Sequence, residues 1–285
     1  MATQPFAHHP TAVLAFSGGT DSTVLLDIVY RHTTYQPRLV WADSQMEYPE
    51  TEAHVRAVAK QYGAELHIAK ATRTPVEQWQ RYGWPMLGKL AASLWTKAHP
   101  DRGFRCNVSA CCRAMKILPA RKLTKQLGSD CQLTGQRGGQ DDRLRGMHAH
   151  LYGPIHYVKA DKLHISNPLQ GWTEAMVCRY QNQHDLPQHP AKARGAITIG
   201  CLYCGGGAQF TNSGFRVLRH TLPAAWRWYM VEAGAGAIVL ALKYDQPLPV
   251  VAAAVERLGG LAHLADATPW LFDFLRFTPL QGYTR

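Results

Sequence analysis

The sequence predicts an α/β fold, a parallel sheet with helices on both faces, followed by a small helical appendage at the carboxyl end. Three observations predict it. Short apolar runs of β type alternate with helical stretches through the first half of the chain. A glycine pair follows the first run directly, where a strand has to turn into a helix. Beyond Phe215 the pattern reads as helices alone. With 285 residues, 46% of them hydrophobic, the chain is long enough to bury a core of this size.

The elements follow in order. "TAVLAF" (11–16) is the first strand, with a helix over 21–31; "RLVWA" (38–42) is the second, with a helix over 50–62. "ELHIA" (65–69) is the third, and a helix over 114–127 leads to the fourth, "CQLTG" (131–135). Right-handed crossovers put helices on both faces. From about Leu144 the pattern loosens into loops rich in His, Pro and Gly, with a helix over 173–183. The stretches "VLRHTLPAAWRWYMVEAG" and "LPVVAAAVERLGG" and the aromatic end "PWLFDFLRF" close the chain, so the expected division is 1–214 and 215–285. No internal repeat stands out.

Lys and Arg number 31 against 20 Asp and Glu, a net charge of +11, with 14 His besides. That balance points to a polyanionic partner or a highly phosphorylated substrate, or else to a basic surface with no specific partner. The segment "MATQPFAHHP" lacks the layout of a secretory signal, and "AGAGAIVLAL" (233–242) is about half the length of a membrane span. A cytoplasmic protein without membrane partners is expected. In that compartment the seven cysteines are expected to be buried thiols, metal ligands or catalytic groups, not disulfides.

The turn between the first strand and helix reads Ser17, Gly18, Gly19, Thr20, Asp21, Ser22. Glycines there let the chain turn with positive φ and leave amides uncovered at a helix start, which makes an anion site. Ser17, Thr20 and Ser22 add hydroxyls, while Asp21 either caps the helix or holds a magnesium ion that bridges phosphates. The Gly-Lys-Ser/Thr ending of a P-loop is absent, as is the third glycine of a dinucleotide fingerprint. An ordinary tight turn is the bland alternative.

This loop resembles the Ser-Gly-Gly-x-Asp-Ser pyrophosphate loop of the ATP pyrophosphatases and their relatives in the adenine nucleotide alpha hydrolase superfamily. Further segments resemble the phosphoadenosine phosphosulfate (PAPS) reductase family, in the family's order: "VWADSQMEYPET" (40–51), "CCRAMKILP" (111–119), "TGQRGGQDDRLR" (134–145), "NPLQGWTEAMVCRYQNQHDLPQHP" (167–190) and "IGCLYC" (199–204). The resemblance runs from about Ala12 to Gly206 and implies a Rossmann-like sheet of the HUP type. In such a sheet ligands sit beyond the carboxyl ends of the strands, where the loops after Phe16, Ala42 and Gly135 end. Asp43 and Ser44 would then lie near ribose or adenine. Arg137, Arg143 and Arg145 would grip a second anionic group, unless they form a solvated basic loop with Asp141 and Asp142.

Cys111 and Cys112 are adjacent, and Cys201 and Cys204 form a Cys-x-x-Cys. Four thiolates suit a 4Fe-4S cluster, and the pattern is similar to that of the adenosine phosphosulfate reductases, with Lys116 as a compensating charge. Tetrahedral zinc is the competitor, although adjacent cysteines are awkward ligands for one zinc. Cys106 could replace one of the pair, and Cys131 and Cys178 are expected in the core.

The resemblance implies one of two reactions. A reductase of the family attacks a phosphosulfate with a cysteine from a late Glu-Cys-Gly-x-His motif, and this sequence has no cysteine after Cys204. The favoured expectation is therefore an ATP pyrophosphatase that adenylates an acceptor for sulfur transfer, as in relatives that install phosphorothioates in DNA. Its expected partners are ATP with magnesium, a nucleic-acid acceptor and a cysteine desulfurase as sulfur donor. Asp21, Lys116, Arg137 and Arg143 are the expected catalytic residues. Residues 17–22 with Asp43, Ser44 and Gly135 are the expected nucleotide contacts. A nucleotide-binding subunit without catalysis is the third possibility. The tryptophans Trp226, Trp228 and Trp270 read as core or as a stacking surface for nucleic acid.

Overall fold

The structure, a computed structural model, describes residues 9–87, 95–138, 151–196, 199–205 and 214–273. The chain divides into two compact units, one of residues 1–72 and 115–199, the other of residues 73–114 and 200–285.

The first unit holds a six-stranded sheet in the order β3-β2-β1-β4-β6-β5. Its strands are β1 (Val13–Ala15), β2 (Leu39–Asp43), β3 (Leu66–Lys70), β4 (Cys131–Leu133), β5 (Ile155–Val158) and β6 (Leu163–Ser166). All neighbouring pairs are parallel except β5 with β6. The expected α/β class with a parallel sheet is what forms. The alternation of side chains assigns each face a core. Leu14, Phe16, Leu39, Trp41 and Leu133 pack with helices α1 (Thr20–His32), α2 (Thr51–Gln61) and the later helix Glu174–Gln183. Val13, Val40 and Ala69 face the other way, onto Ala120, Leu123 and Leu127 of the helix Leu118–Gln126 and its end. Each fully buried Leu or Val is worth roughly 1.5–3 kcal/mol relative to exposure.

A polar clip reinforces the first core. Asp27 of α1, 2% exposed, accepts from Arg31, from the Tyr62 hydroxyl at 2.8 Å and from the Tyr180 hydroxyl at 2.8 Å. Burial alone raises its pKa, yet those donors outweigh burial and hold the carboxyl below its ordinary value.

Two expectations are corrected. The loops expected after Leu144 contain a hairpin, β5 and β6, whose outer strand alternates exposed and half-buried residues. A short, half-exposed edge strand has too weak an apolar pattern to announce itself. The helix expected over 114–127 starts earlier, as Val108–Cys112, widens to a π segment over Arg113–Ile117, and only then runs as Leu118–Gln126. Pro119 explains the break: it offers no N–H, and its ring clashes with the carbonyl four residues back.

The second unit carries α3 (Pro75–Tyr82), α4 (Val108–Cys112) and the C-terminal helices Gly214–Thr221, Pro223–Arg227, Ala235–Lys243, Leu248–Arg257 and Gly260–Ala267. Trp226 is buried there, whereas Trp228 and Trp270 are 37% and 60% exposed. Among the described residues no single helix is long and apolar enough to cross a membrane.

Candidate functional site

The strand order reverses at β1, with β2 on one side and β4 on the other. Ligands of open parallel sheets bind in the crevice at such a point, beyond the strands' carboxyl ends. The residues 17–22 leave β1 there. Gly18 takes φ +74°, and a Cβ on it would stand 2.9 Å from Val55 Cγ2 and 3.1 Å from His54 Cδ2. Gly19 is the N-cap of α1 and makes no side-chain cap, so the first-turn amides are not covered by an aspartate or serine from that position. The loop is braced from within. Ser22 Oγ donates to Gly19 O at 2.9 Å and lies 3.0 Å from Ser17 Oγ, and Ser17 Oγ accepts from Gly19 N at 3.3 Å. Thr20 begins the helix.

Asp21 does not cap the helix. It lies in the first turn, and its Oδ1 accepts from Arg137 Nε at 2.8 Å. Arg137 comes from the loop after β4, and Gly135 makes that approach possible: a Cβ there would stand 3.0 Å from Asp21 C and Ser22 N. Arg137 is 7% exposed, and its Nη1 is buried without a hydrogen-bond partner. A buried guanidinium nitrogen with no acceptor is a costly arrangement that an anion would relieve. Arg137 is therefore not part of a solvated basic loop. Arg143 and Arg145, with Asp141 and Asp142, lie outside the described residues.

After β2, Asp43 Oδ1 accepts from Gln45 N at 2.9 Å, with Gln45 at φ +62°. Ser44 is fully buried, and its hydroxyl donates to Glu47 Oε1. The same carboxylate accepts from Ser44 N and Met46 N at 3.1 Å and pairs with Lys116 Nζ at 3.2 Å. Lys116 thus belongs to the sheet unit, where Glu47 holds it.

Behind the loop stand two histidines that sequence reasoning passed over. His54 Nε2 meets Gly18 O at 3.2 Å, and its ring lies 4.9 Å from that of His189. His189 Nδ1 accepts from Ala191 N at 3.1 Å, so its proton sits on Nε2, which meets Thr51 Oγ1 at 3.0 Å. Burial, then the neighbouring His54, brings the His189 pKa down to about 4, and burial lowers that of His54. Both rings are neutral braces near pH 7. The segments "YPETEAH" and "LPQHP" contained the signal, two histidines beside helix starts.

The four cysteines of the expected cluster all fall in the second unit. Asn107 Oδ1 accepts from Ala110 N at 2.9 Å and so starts α4, which carries Cys111 and Cys112. Cys204 N donates to Cys201 O at 3.3 Å, closing the Cys-x-x-Cys turn. Burial first, and then the charges of Cys112, Cys201 and Cys204, push the Cys111 thiol up to about 12. Cys111 thus feels the charge of each of the other three. Gly205 follows the turn because a Cβ would stand 2.7 Å from Met86 Cα.

The surrounding wall is aromatic. Trp79 and Tyr229 are fully buried with ring centroids 5.3 Å apart, and Tyr203 lies 4.9 Å from Tyr229. The indole N–H of Trp79 is buried beside Cys111 and acts on its thiol in the direction that favours a thiolate, against the larger effect of burial. Four thiols, an indole N–H beside one of them and a glycine turn fit a thiolate-bound metal centre. None of the seven cysteines, all of them described, is in a disulfide. Cys131 is buried, as expected of a core thiol, and so is Cys106; Cys178 is exposed on its helix, against expectation, because it falls on the outer face of Glu174–Gln183.

The sheet and its glycine loop define an adenine nucleotide alpha hydrolase-like protein. More narrowly, the chain belongs to the PAPS reductase family: the model of the phosphoadenosine phosphosulfate reductase domain matches residues 11–206. A phosphoadenosine 5'-phosphosulfate reductase of Alkalilimnicola ehrlichii is 27% identical over 188 residues, 66% of this chain and 67% of its own length. An adenosine 5'-phosphosulfate reductase of Halalkalibacterium halodurans is 26% identical over 196 residues, 67% of this chain and 73% of its own. Among solved structures, a phosphate complex of PAPS reductase from Candida auris is similar at 25% identity and a TM-score of 0.47, over 67% of this chain and 81% of that one.

Proposed function

We propose that this chain is an enzyme acting on an adenine nucleotide, with the anionic part of the nucleotide over residues 17–22 and against Arg137. One observation carries the reading: Arg137 Nη1 is buried, unpartnered and fixed beside the helix start by Asp21. Backbone amides at a helix N-terminus and a guanidinium fork together make a phosphate or sulfate site. Gly18, Gly19, Thr20 and Ser22 supply the loop, Gly135 brings Arg137 close, and Asp43 lies on the side of the sugar or base; Ser44, expected there as a nucleotide contact, is buried against Glu47 and shapes that turn instead. Lys116 adds positive charge. Asp21 orients Arg137 and is the carboxylate available to magnesium when the nucleotide is a triphosphate.

The likeness to adenosine phosphosulfate and PAPS reductases supports a phosphosulfate as substrate. In that reaction a thiolate attacks the sulfur, the adenine nucleotide leaves, and a second thiol releases sulfite as the two thiols join in a disulfide. Cys111, Cys112, Cys201 and Cys204 would hold a 4Fe-4S cluster, whose chemistry is electron transfer. Among the described residues no three cysteine sulfurs lie within 4.8 Å of one another. A single tetrahedral zinc, with bonds of about 2.3 Å, is the competing centre, and the iron, sulfide and zinc content of the purified protein separates the two.

A specific observation favours a second reading, ATP pyrophosphatase chemistry with sulfur transfer to an acceptor such as nucleic acid. Outside the quartet, burial pushes the thiols of Cys106 and Cys131 up, the wrong direction for an attacking thiolate, and Cys178 lies on the exposed face of its helix, away from the glycine loop in sequence. In this reading an acceptor oxygen attacks the α-phosphorus of ATP, pyrophosphate leaves, and a sulfur nucleophile then displaces AMP. The purified protein decides between them. Sulfite released from adenosine phosphosulfate with a thiol reductant establishes the first, and pyrophosphate released from ATP with nucleic acid and a sulfur donor establishes the second. Failure to bind either nucleotide would overturn both.

A further inference from the structure

Away from the carboxyl ends of the strands, three side chains converge where β4 and β6 begin. His9, Asp130 and His164 each offer a ligand atom, and the three atoms lie within 4.8 Å of one another. We propose that His9, Asp130 and His164 form a second metal site, for a zinc-class divalent cation, that ties the segment before β1 to the two strands.

The backbone holds all three in place. His9 O accepts from Ala12 N at 3.1 Å, which fixes the turn into β1. Ser129 Oγ bonds both the carbonyl and the amide of Cys131, at 2.8 and 3.3 Å, which fixes Asp130 between them. His164 N donates to Asp130 O at 2.8 Å, so these two positions are neighbours in the sheet ladder. Convergence from three separate segments is therefore built into the fold, unlike a chance meeting of long surface side chains.

The local chemistry suits a borderline cation. His9 is 7% exposed, and its Nδ1 stands 2.9 Å from Asp130 Oδ2. Two ligands on one zinc, with bonds of about 2 Å, are separated by about 3.3 Å, so this pair is already near its bound spacing. The rings of His9 and His164 lie 4.5 Å apart at 42°, and Tyr157 covers His164 at 4.9 Å. His164 Nδ1 is buried without a hydrogen-bond partner, an acceptor or donor that lacks its match. Two imidazoles and one carboxylate match zinc, and binding would replace the proton shared by His9 and Asp130 with the metal. Asp130, 59% exposed at its side chain, leaves a way in for the ion.

The test uses Co2+ as a probe, because its visible spectrum separates thiolate ligands from nitrogen and oxygen ligands. It is run on the full chain carrying Cys201→Ala, so that the cysteine centre does not compete. One equivalent of Co2+ bound without a thiolate charge-transfer band is expected, together with a rise in thermal midpoint on adding Zn2+. Both signals should disappear in the same chain carrying His164→Gln. Asp130→Asn, at an exposed position that does not endanger folding, should weaken Co2+ binding at least about 10-fold. Unchanged Co2+ binding in the Asp130→Asn and His164→Gln chains, or no binding to the Cys201→Ala chain, would overturn the proposal. Nucleotide binding is measured in parallel and is expected to stay intact.

Discussion

The nucleotide loop and the cysteine centre solve opposite problems. In the loop, hydrogen bonds among Ser17, Gly19 and Ser22 brace the chain before any ligand arrives, while the first-turn amides and Arg137 Nη1 are left for an anion. Around the cysteines the wall is aromatic, Cys111 is buried with Cys112, Cys201 and Cys204 half-buried, and burial holds the Cys111 thiol up near 12. The first region is a preformed receptor. The second holds a buried thiol, Cys111, whose thiolate burial disfavours, and a bound cation would offset that cost. Nucleotide should therefore bind to the apoprotein, whereas the cysteine region should depend on its metal for order.

The strongest way to break this contrast is Cys201→Ala. The wild-type protein, purified without oxygen, is expected to be brown with iron and acid-labile sulfide, and the variant is expected to lose both. Its affinity for the adenine nucleotide should stay within about 3-fold, since the loop is braced without the cysteines. A colourless wild-type preparation carrying one zinc would replace the cluster by the other metal. Coupled loss of nucleotide binding would end the contrast.

The second largest effect is expected from Asp21→Ala. Arg137 would lose its 2.8 Å partner and keep its unpartnered Nη1, so the guanidinium would no longer be aimed. Turnover should fall at least about 100-fold, comparable to losing one oriented group that stabilises developing charge. Thermal unfolding should move little. Asp21→Asn, which keeps an oxygen for Arg137, should restore part of the rate. Equal loss in both variants would assign Asp21 a role through its charge, such as magnesium binding, instead of through aim.

Much of the sheet unit was legible in the sequence because its signals are local. The strand ending at Phe16, the glycine pair and the helix after it are consecutive, and each is dictated by backbone geometry or apolar period. The cysteine spacing was legible for the same reason. What did not show was what packs behind: Glu47 under Ser44 and Lys116, His54 and His189 behind Gly18, and Trp79 beside Cys111. Those contacts join residues far apart in sequence, and no period or spacing encodes them. The hairpin β5–β6 stayed hidden because its outer strand is half exposed, and the break near Pro119 because a π segment keeps the helical apolar pattern.

Gly18→Ala probes the brace itself. At φ +74° an L side chain is strained, and its Cβ would press on Val55 and His54. The cost is expected to be about 1–3 kcal/mol, read as a lower urea midpoint, with weaker nucleotide binding besides. The iron content should not change. A parallel Gly205→Ala, where the clash is with the Met86 backbone, should do the reverse, lowering iron content while sparing nucleotide affinity.

The smallest effect is a pH dependence, and its sign follows from His189. The ring is neutral in the folded chain down to about pH 4, while in the unfolded chain it takes up a proton below pH 6.5. Between those values the unfolded state binds more protons, so its contribution to stability is full above pH 6.5 and is lost as the pH falls toward about 4. Asp27 contributes with the same sign but lower, because its carboxyl lies below the ordinary 3.8 and its stabilisation is lost only as the pH falls beneath that value. Urea midpoints measured from neutral pH downward should therefore decline in two stages. His189→Gln should flatten the upper stage and leave the lower one, and it should also loosen the loop, since the ring of His189 backs His54, which holds Gly18 O. A curve with an unchanged upper stage would mean that other histidines set it, and that the bracing of the nucleotide loop does not depend on a neutral ring behind it.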